Sequence, residues 1–189
     1  MELLTPTLRT DRLLLRPFAA ADADDLTALM SDARVLEYWD SPPWTDPARA
    51  GVFLERCRTM AEQGSGIRVA VERLEDGAFL GWCLFVDWDD TFRSARLGYC
   101  LTQTSWGHGY ATEASRAVLT WAFDALPLNR VQAECDTRNP ASGRVLEKLG
   151  FVLRGRCDRT ASSTAWSRTR GCTACSPRTG PCVADRSPA

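Results

Sequence analysis

Residues Leu97 to Ala114 read LGYCLTQTSWGHGYATEA, and the fold is decided there. Ala95, Leu97, Tyr99 and Leu101 alternate with other residues, the period of a strand with one buried face. Trp106-Gly107-His108-Gly109 then supplies two glycines in a turn. Beyond it Ala111, Ala114, Ser115, Val118, Leu119, Ala122 and Leu126 recur at helical spacing until Pro127 breaks the pattern. The first turn of a helix carries unpaired backbone N–H groups and partial positive charge, so it attracts phosphate. Glycines let that backbone close around a pyrophosphate. Other phosphate motifs fit worse. There is no Gly-x-x-x-x-Gly-Lys-Ser/Thr loop, and a dinucleotide fingerprint needs a third glycine where Thr112 stands. The turn also lies past the middle of the chain, whereas a dinucleotide-binding fold opens with it.

Working outward, strands and helices alternate. Leu8 to Arg16 predicts a strand stopped by Pro17, and Leu26, Leu29 and Met30 give a helical stripe within Ala20 to Met30. Asp46-Pro47 opens another helix towards Met60, closed by Gly64-Ser65-Gly66. Strands are expected over Ile67 to Glu72 and Phe79 to Val86, with a polar, turn-like Asp87 to Arg93 after them. Leu128 to Asp136 is a further strand. Asn139-Pro140 caps a last helix whose apolar stripe is Val145, Leu146 and Leu149, with Gly150 at its end. This order implies an α/β layer structure.

Composition sets the outer limits. With 44% hydrophobic and 25% charged residues in 189, the chain reads as one globular unit with a core. A net charge of −1 gives no basic field for nucleic acid, and no apolar run is long enough to span a membrane. The N-terminus lacks a basic-then-apolar leader pattern, so a cytoplasmic protein is expected, as a monomer or a homodimer. Cys57, Cys83, Cys100 and Cys135 sit in apolar surroundings that suit buried reduced thiols. Cys172-Thr-Ala-Cys175 has metal-knuckle spacing but neither a histidine partner nor a second pair, so no metal is expected.

The motifs resemble the GNAT superfamily of N-acetyltransferases. That superfamily carries Arg/Gln-x-x-Gly-x-Gly/Ala at a strand-turn-helix junction. Trp106-Gly107-His108-Gly109-Tyr110-Ala111 matches its last two elements, with Trp106 where Arg or Gln is usual. WGHGYATEA, the later NPASGRVLEKLGF from Asn139 to Phe151 and the opening LRTDRLLLRPF are similar to the RimJ/RimL-like branch. The resemblance implies a GNAT fold, a central mixed twisted β-sheet flanked by helices. It implies acetyl-CoA as co-substrate and a primary amine as acceptor, on a protein N-terminus or a small molecule. On this reading the backbone N–H groups of Gly107, His108, Gly109, Tyr110, Ala111 and Thr112 hold the pyrophosphate. Leu101 and Thr102 pair with the pantetheine arm as if it were a strand, and Asn139 and Ser142 approach the pantetheine and the thioester.

Simpler roles exist for several of these residues. Asn139 caps a helix in any protein, Glu113 in a first turn favours the helix dipole, and His108 is at home as a solvated turn residue. Trp39, Trp44 and Trp88 suit either an acceptor pocket or plain core. The catalytic base is open. Relatives place a glutamate on the strand before the turn, in a pattern like Ala-Glu-Ile-Gly-Tyr, but this chain has Ala95-Arg96-Leu97-Gly98-Tyr99. Arginine is no base near neutral pH. Asp87, Glu134 or Asp136 acting through water, or positioning alone, must serve. A coenzyme-binding protein with little or no transferase activity is the alternative.

The chain changes character near its end. From Gly155 onward there is no Leu, Ile, Phe, Met, Glu or Lys, and six arginines face two aspartates, so this part carries +4 and the rest −5. Residues 1–154 are therefore expected to form the acetyltransferase domain. Residues 155–189 are expected to be a poorly ordered basic tail, with the final β-hairpin missing or aberrant. Shifting the reading frame by two nucleotides lets the same tail encode Gly-Thr-Leu-Arg-Gln-Asp-Cys-Val-Val-Asp-Gly-Val-Val-Ser-Asp-Ser-Trp-Val-Tyr-Gly-Leu-Leu. That is a strand, an Asp-Gly turn and a second strand. The tail is thus expected to be an out-of-frame reading of the hairpin. Sequencing the gene should show this hairpin in the alternative frame near Leu153. Stop codons there, or no such hairpin, would end the idea.

Overall fold

The computed structural model describes residues 3–156 and 163–169. Eight strands form one sheet in the order β1-β2-β3-β4-β5-β6-β8-β7. They are β1 (Leu8–Arg9), β2 (Leu13–Pro17), β3 (Gly66–Arg73), β4 (Phe79–Asp89), β5 (Ser94–Leu101), β6 (Arg130–Asp136), β7 (Val152–Arg156) and β8 (Ser163–Thr169). Every neighbouring pair is antiparallel except β5 and β6. The helices are α1 (Ala23–Ser31), α2 (Ala48–Glu62), α3 (Tyr110–Ala125) and α4 (Pro140–Lys148). None of the described helices is long and apolar enough to cross a membrane.

Strand alternation divides the core in two. Leu13, Leu15, Val69, Val71, Cys83, Phe85, Leu97, Leu101 and Val131 join Val118, Leu119 and Ala122 of α3 and Leu146 of α4. On the other face Trp82, Cys100 and Leu84 meet Leu26, Leu29 and Met30 of α1 and Phe53 of α2. Each layer buries enough apolar area to hold its helices, at about 25 cal/mol per Å².

The structure departs from the sequence reading at three places. The expected strand Leu8 to Arg16 is two strands, because the Thr10 hydroxyl bonds both the N–H and the carbonyl of Leu13 and turns the chain back. β4 runs on to Asp89 through an irregularity after Val86, with Asp87 at φ 54°. Of the two outcomes expected for the final hairpin, missing or aberrant, the structure has the second, since β7 and β8 extend the sheet beyond β6. It is irregular, and Val152 and Leu153 stay 46% and 51% exposed. Most of the expected tail, residues 157–162 and 170–189 with Cys172 and Cys175, lies outside the described residues.

One ion network ties α1 to the sheet. Arg16 of β2 donates to both carboxylate oxygens of Asp22 at 2.8 Å and to Glu72 of β3 at 2.9 Å, and Asp22 also accepts from Ala19 N at 2.7 Å. Asp22 is only 4% exposed. Burial raises the pKa of its carboxyl, but Arg16 and Ala19 outweigh that and hold it below the ordinary range. Asp22→Ala should therefore cost about 3 kcal/mol at neutral pH, because it strips a largely buried guanidinium of its main partner. The penalty should be full above about pH 4 and vanish as the pH falls through the depressed pKa of the folded state. Urea denaturation of both proteins at several pH values checks this.

Candidate active site

β5 stays paired with β4 as far as Leu101, but with β6 it pairs only at Ser94, Ala95 and Arg96. From Leu97 onward its second edge has no strand partner among the described residues, and the two strands part. The N–H of Thr102 donates to Leu80 O on the β4 side. Alternation along the strand then turns the backbone groups of Leu101 and Tyr99 towards the gap. Of the two residues expected to pair with a strand-like arm, Leu101 thus turns its backbone towards the gap and Thr102 turns its N–H away from it. Thr102 is otherwise engaged through its hydroxyl, 2.6 Å from Ser105 Oγ. Trp106, the residue where Arg or Gln is usual, donates its indole N–H to Leu101 O at 2.9 Å and so closes the end of the gap.

The glycine turn follows at once. Gly107 and Gly109 have φ of 79° and 82°, a conformation that favours glycine, and Gly109 is the N-cap of α3. No side chain caps this helix. None of the six backbone N–H groups from Gly107 to Thr112 donates to a described residue, whereas that of Glu113 already reaches Gly109 O at 3.1 Å. Gly107, His108 and Gly109 are exposed. His108 stacks on Tyr110 with ring centroids 5.6 Å apart.

A clamp that the sequence did not announce fixes this turn from the β1–β2 hairpin. Glu113 accepts from Thr10 Oγ1 at 2.6 Å, from Arg12 N at 3.1 Å, and from Arg12 Nε and Nη2 at 2.8 and 2.6 Å. Arg12 Nη1 donates to His108 O at 3.1 Å, inside the turn, and its guanidinium lies over the Tyr110 ring at 4.7 Å. Burial raises the pKa of Glu113, but these hydrogen bonds prevail and keep it low, so the clamp is ionised at neutral pH.

Asn139 and Ser142 stand at the start of α4, where Ser142 meets Tyr99 of β5. Asn139 Oδ1 accepts the N–H of Ser142 at 3.1 Å, so it is a cap, as its position suggested. Tyr99 OH lies 2.9 Å from Ser142 Oγ and 3.2 Å from Ser142 O, which fixes that hydroxyl beside the open edge of β5. Burial pushes the Tyr99 pKa up, so the phenol stays neutral. On the opposite face Arg96 pairs with Asp87 and reaches Glu134 at 3.8 Å. Asp136 accepts from Arg138 N, Nε and Nη2 at 2.8, 3.1 and 2.8 Å, and its side chain is 8% exposed. Glu134 is the least engaged of the three carboxylates. Trp44 is core and Trp88 half-buried, while Trp39 is 38% exposed and meets the Trp82 ring edge-on at 5.3 Å. Cys83 and Cys100 are buried and their thiols pushed up to about 12, which rules out thiolate chemistry at neutral pH. No cluster of metal-ligating side chains occurs among the described residues.

Comparison with known proteins adds a family. The acetyltransferase (GNAT) domain family matches residues 12–152. An uncharacterized N-acetyltransferase, p20 of Bacillus licheniformis, is 32% identical over 149 residues, covering 79% of this chain and 84% of p20. A putative ribosomal N-acetyltransferase of Bacillus subtilis, YdaF, is 28% identical over 77% of this chain and 81% of its own length. The crystal structure of an acetyltransferase from Agrobacterium tumefaciens superposes with a TM-score of 0.74 at 27% identity, over 90% of this chain and 98% of that one.

Gly109→Glu should abolish measurable acetyl-CoA binding in calorimetry, because it sets a carboxylate among the open N–H groups and forces a non-glycine residue to φ 82°. His108→Ala should leave turnover within about tenfold of the parent, a barrier change of at most ~1.4 kcal/mol. Unchanged affinity in the first variant, or a thousandfold loss in the second with binding intact, would contradict this site.

Proposed function

The chain belongs to the GNAT family of acetyl-CoA-dependent N-acetyltransferases, and on that premise we propose that it acetylates a primary amine, at a protein N-terminus or on a small molecule. The observation that carries this reading is the open edge of β5 running straight into six uncommitted N–H groups at the start of α3. A pantetheine arm can pair with the first while a pyrophosphate settles on the second. Bound acetyl-CoA supplies the activated acyl group as a thioester.

The side chains divide the remaining work by face. Tyr99, Asn139 and Ser142 lie towards α4 and position the arm, with the Ser142 hydroxyl able to donate to the leaving sulfur. Arg96, Asp87 and Glu134 lie on the face covered by α1 and α2, where the acceptor approaches. Glu134 takes the ammonium proton through water, and Arg96, 3.8 Å away, helps to orient that carboxylate. The amine nitrogen then bonds the carbonyl carbon, the C–S bond breaks, and the sulfur leaves as a thiol.

Transfer is tested by following thiol release from acetyl-CoA across peptides with free N-termini and small primary amines. Turnover should appear with at least one of them, and Glu134→Gln should slow it by about a hundredfold with coenzyme affinity unchanged. Coenzyme binding without transfer to any amine would favour the non-catalytic alternative.

A further inference from the structure

On the α1–α2 face, away from the cofactor gap, a recess of about 310 Å³ is lined by Arg56, Thr59, Met60, Gln63, Ser65 and Arg68. It contains two guanidinium groups and no carboxylate. Arg56, Thr59, Met60 and Gln63 share one face of α2, being spaced by three and four residues. The acidic residues of that helix, Glu55 and Glu62, are turned aside and both bound by Arg58. Neither Arg56 nor Arg68 forms an ion pair with a described residue.

Arg68 is the unusual member. It rises from β3 between the rings of Phe53 and Trp82, 4.3 and 4.9 Å from their centroids. Its Nη1 lies 3.9 Å from the Cys57 sulfur. Its Nε is buried without a partner among the described residues, and so is Nε1 of Trp82, over whose ring the guanidinium lies. Two aromatic faces offset part of the cost of burying a cation, but an anion completes such a site far better.

The sheet register links this recess to the chemistry. Arg68 pairs with Leu84, which pairs with Gly98, two residues from Arg96 on the same face of the sheet. Two strand spacings, about 10 Å, therefore separate Arg68 from the strand at which the amine must react. We propose that Arg68 and Arg56, with Thr59, Gln63 and Ser65, form a subsite for an anionic group, a carboxylate or phosphate, carried by the acceptor amine. The proposal rests on the acetyltransferase reading and narrows it. Amino acids, acidic peptides and phosphorylated amines fit the subsite, and polyamines do not.

The test begins with inorganic phosphate and acetate, titrated at constant ionic strength into protein saturated with coenzyme A so that the turn before α3 is filled. Binding should be saturable in calorimetry, and both Arg56→Gln, at an exposed position, and Arg68→Gln should weaken it at least tenfold. The second arm compares a dipeptide amide bearing glutamate with its glutamine counterpart as acceptor. The parent should favour the acidic one in kcat/KM by at least tenfold, and Arg56→Gln should erase the preference while coenzyme affinity stays the same. Anion affinity equal in parent and Arg56→Gln, or no preference between the dipeptides while both are acetylated, overturns the subsite and leaves the acetyltransferase reading standing. Arginine-dependent anion binding without transfer to any amine overturns the acceptor role and keeps the anion site.

Discussion

Everything at this site depends on the short parallel ladder between β5 and β6. The strands hold each other for three residues, Ser94, Ala95 and Arg96, and then part. A sheet that stayed zipped would satisfy the edge of β5 with protein and leave no place for an extended ligand. Because the ladder ends, Tyr99 and the N–H of Leu101 face a gap that a strand-like partner can fill, while Leu101 O already accepts from Trp106. The antiparallel pairing of β5 with β4 continues to Leu101 on the other side, so the open edge is rigid as well as unpaired. α3 begins a few residues later, and its first N–H groups continue the same line of donors.

Holding those donors in place is a separate task, and residues far away in sequence perform it. Thr10 and Arg12 from the first hairpin engage Glu113, and Arg12 also grips the carbonyl of His108. A helix start with two left-handed glycines and no side-chain cap is conformationally loose by itself. The clamp supplies the missing constraint without using a single N–H that phosphate would need. Glu113 therefore fixes the turn itself, through Thr10 and Arg12.

Much of this was legible in the sequence, and what escaped did so for physical reasons. Periodicity and capping residues located the four helices and the central strands, since those signals are local. The glycine turn could be read because two glycines before an amphipathic helix admit few conformations. The clamp could not, because Thr10 and Glu113 are 103 residues apart and a first-turn glutamate has an adequate local explanation. Position along a strand is visible in sequence, but the edge that the Thr102 N–H faces is not, and it faces Leu80. Trp106 looked like a departure from the family pattern until its indole N–H was found on Leu101 O. Arg68 gave no signal, because a strand arginine is ordinarily solvated. Its burial follows from Phe53 and Trp82, which only the fold brings together.

The open edge of β5 is tested most directly by backbone amide hydrogen exchange with and without coenzyme A. The N–H of Leu101 and those from Gly107 to Thr112 should gain protection together on binding. That of Thr102, already bonded to Leu80, should change little. Protection confined to other parts of the sheet, with Leu101 and the turn exchanging as fast as before, would contradict the account.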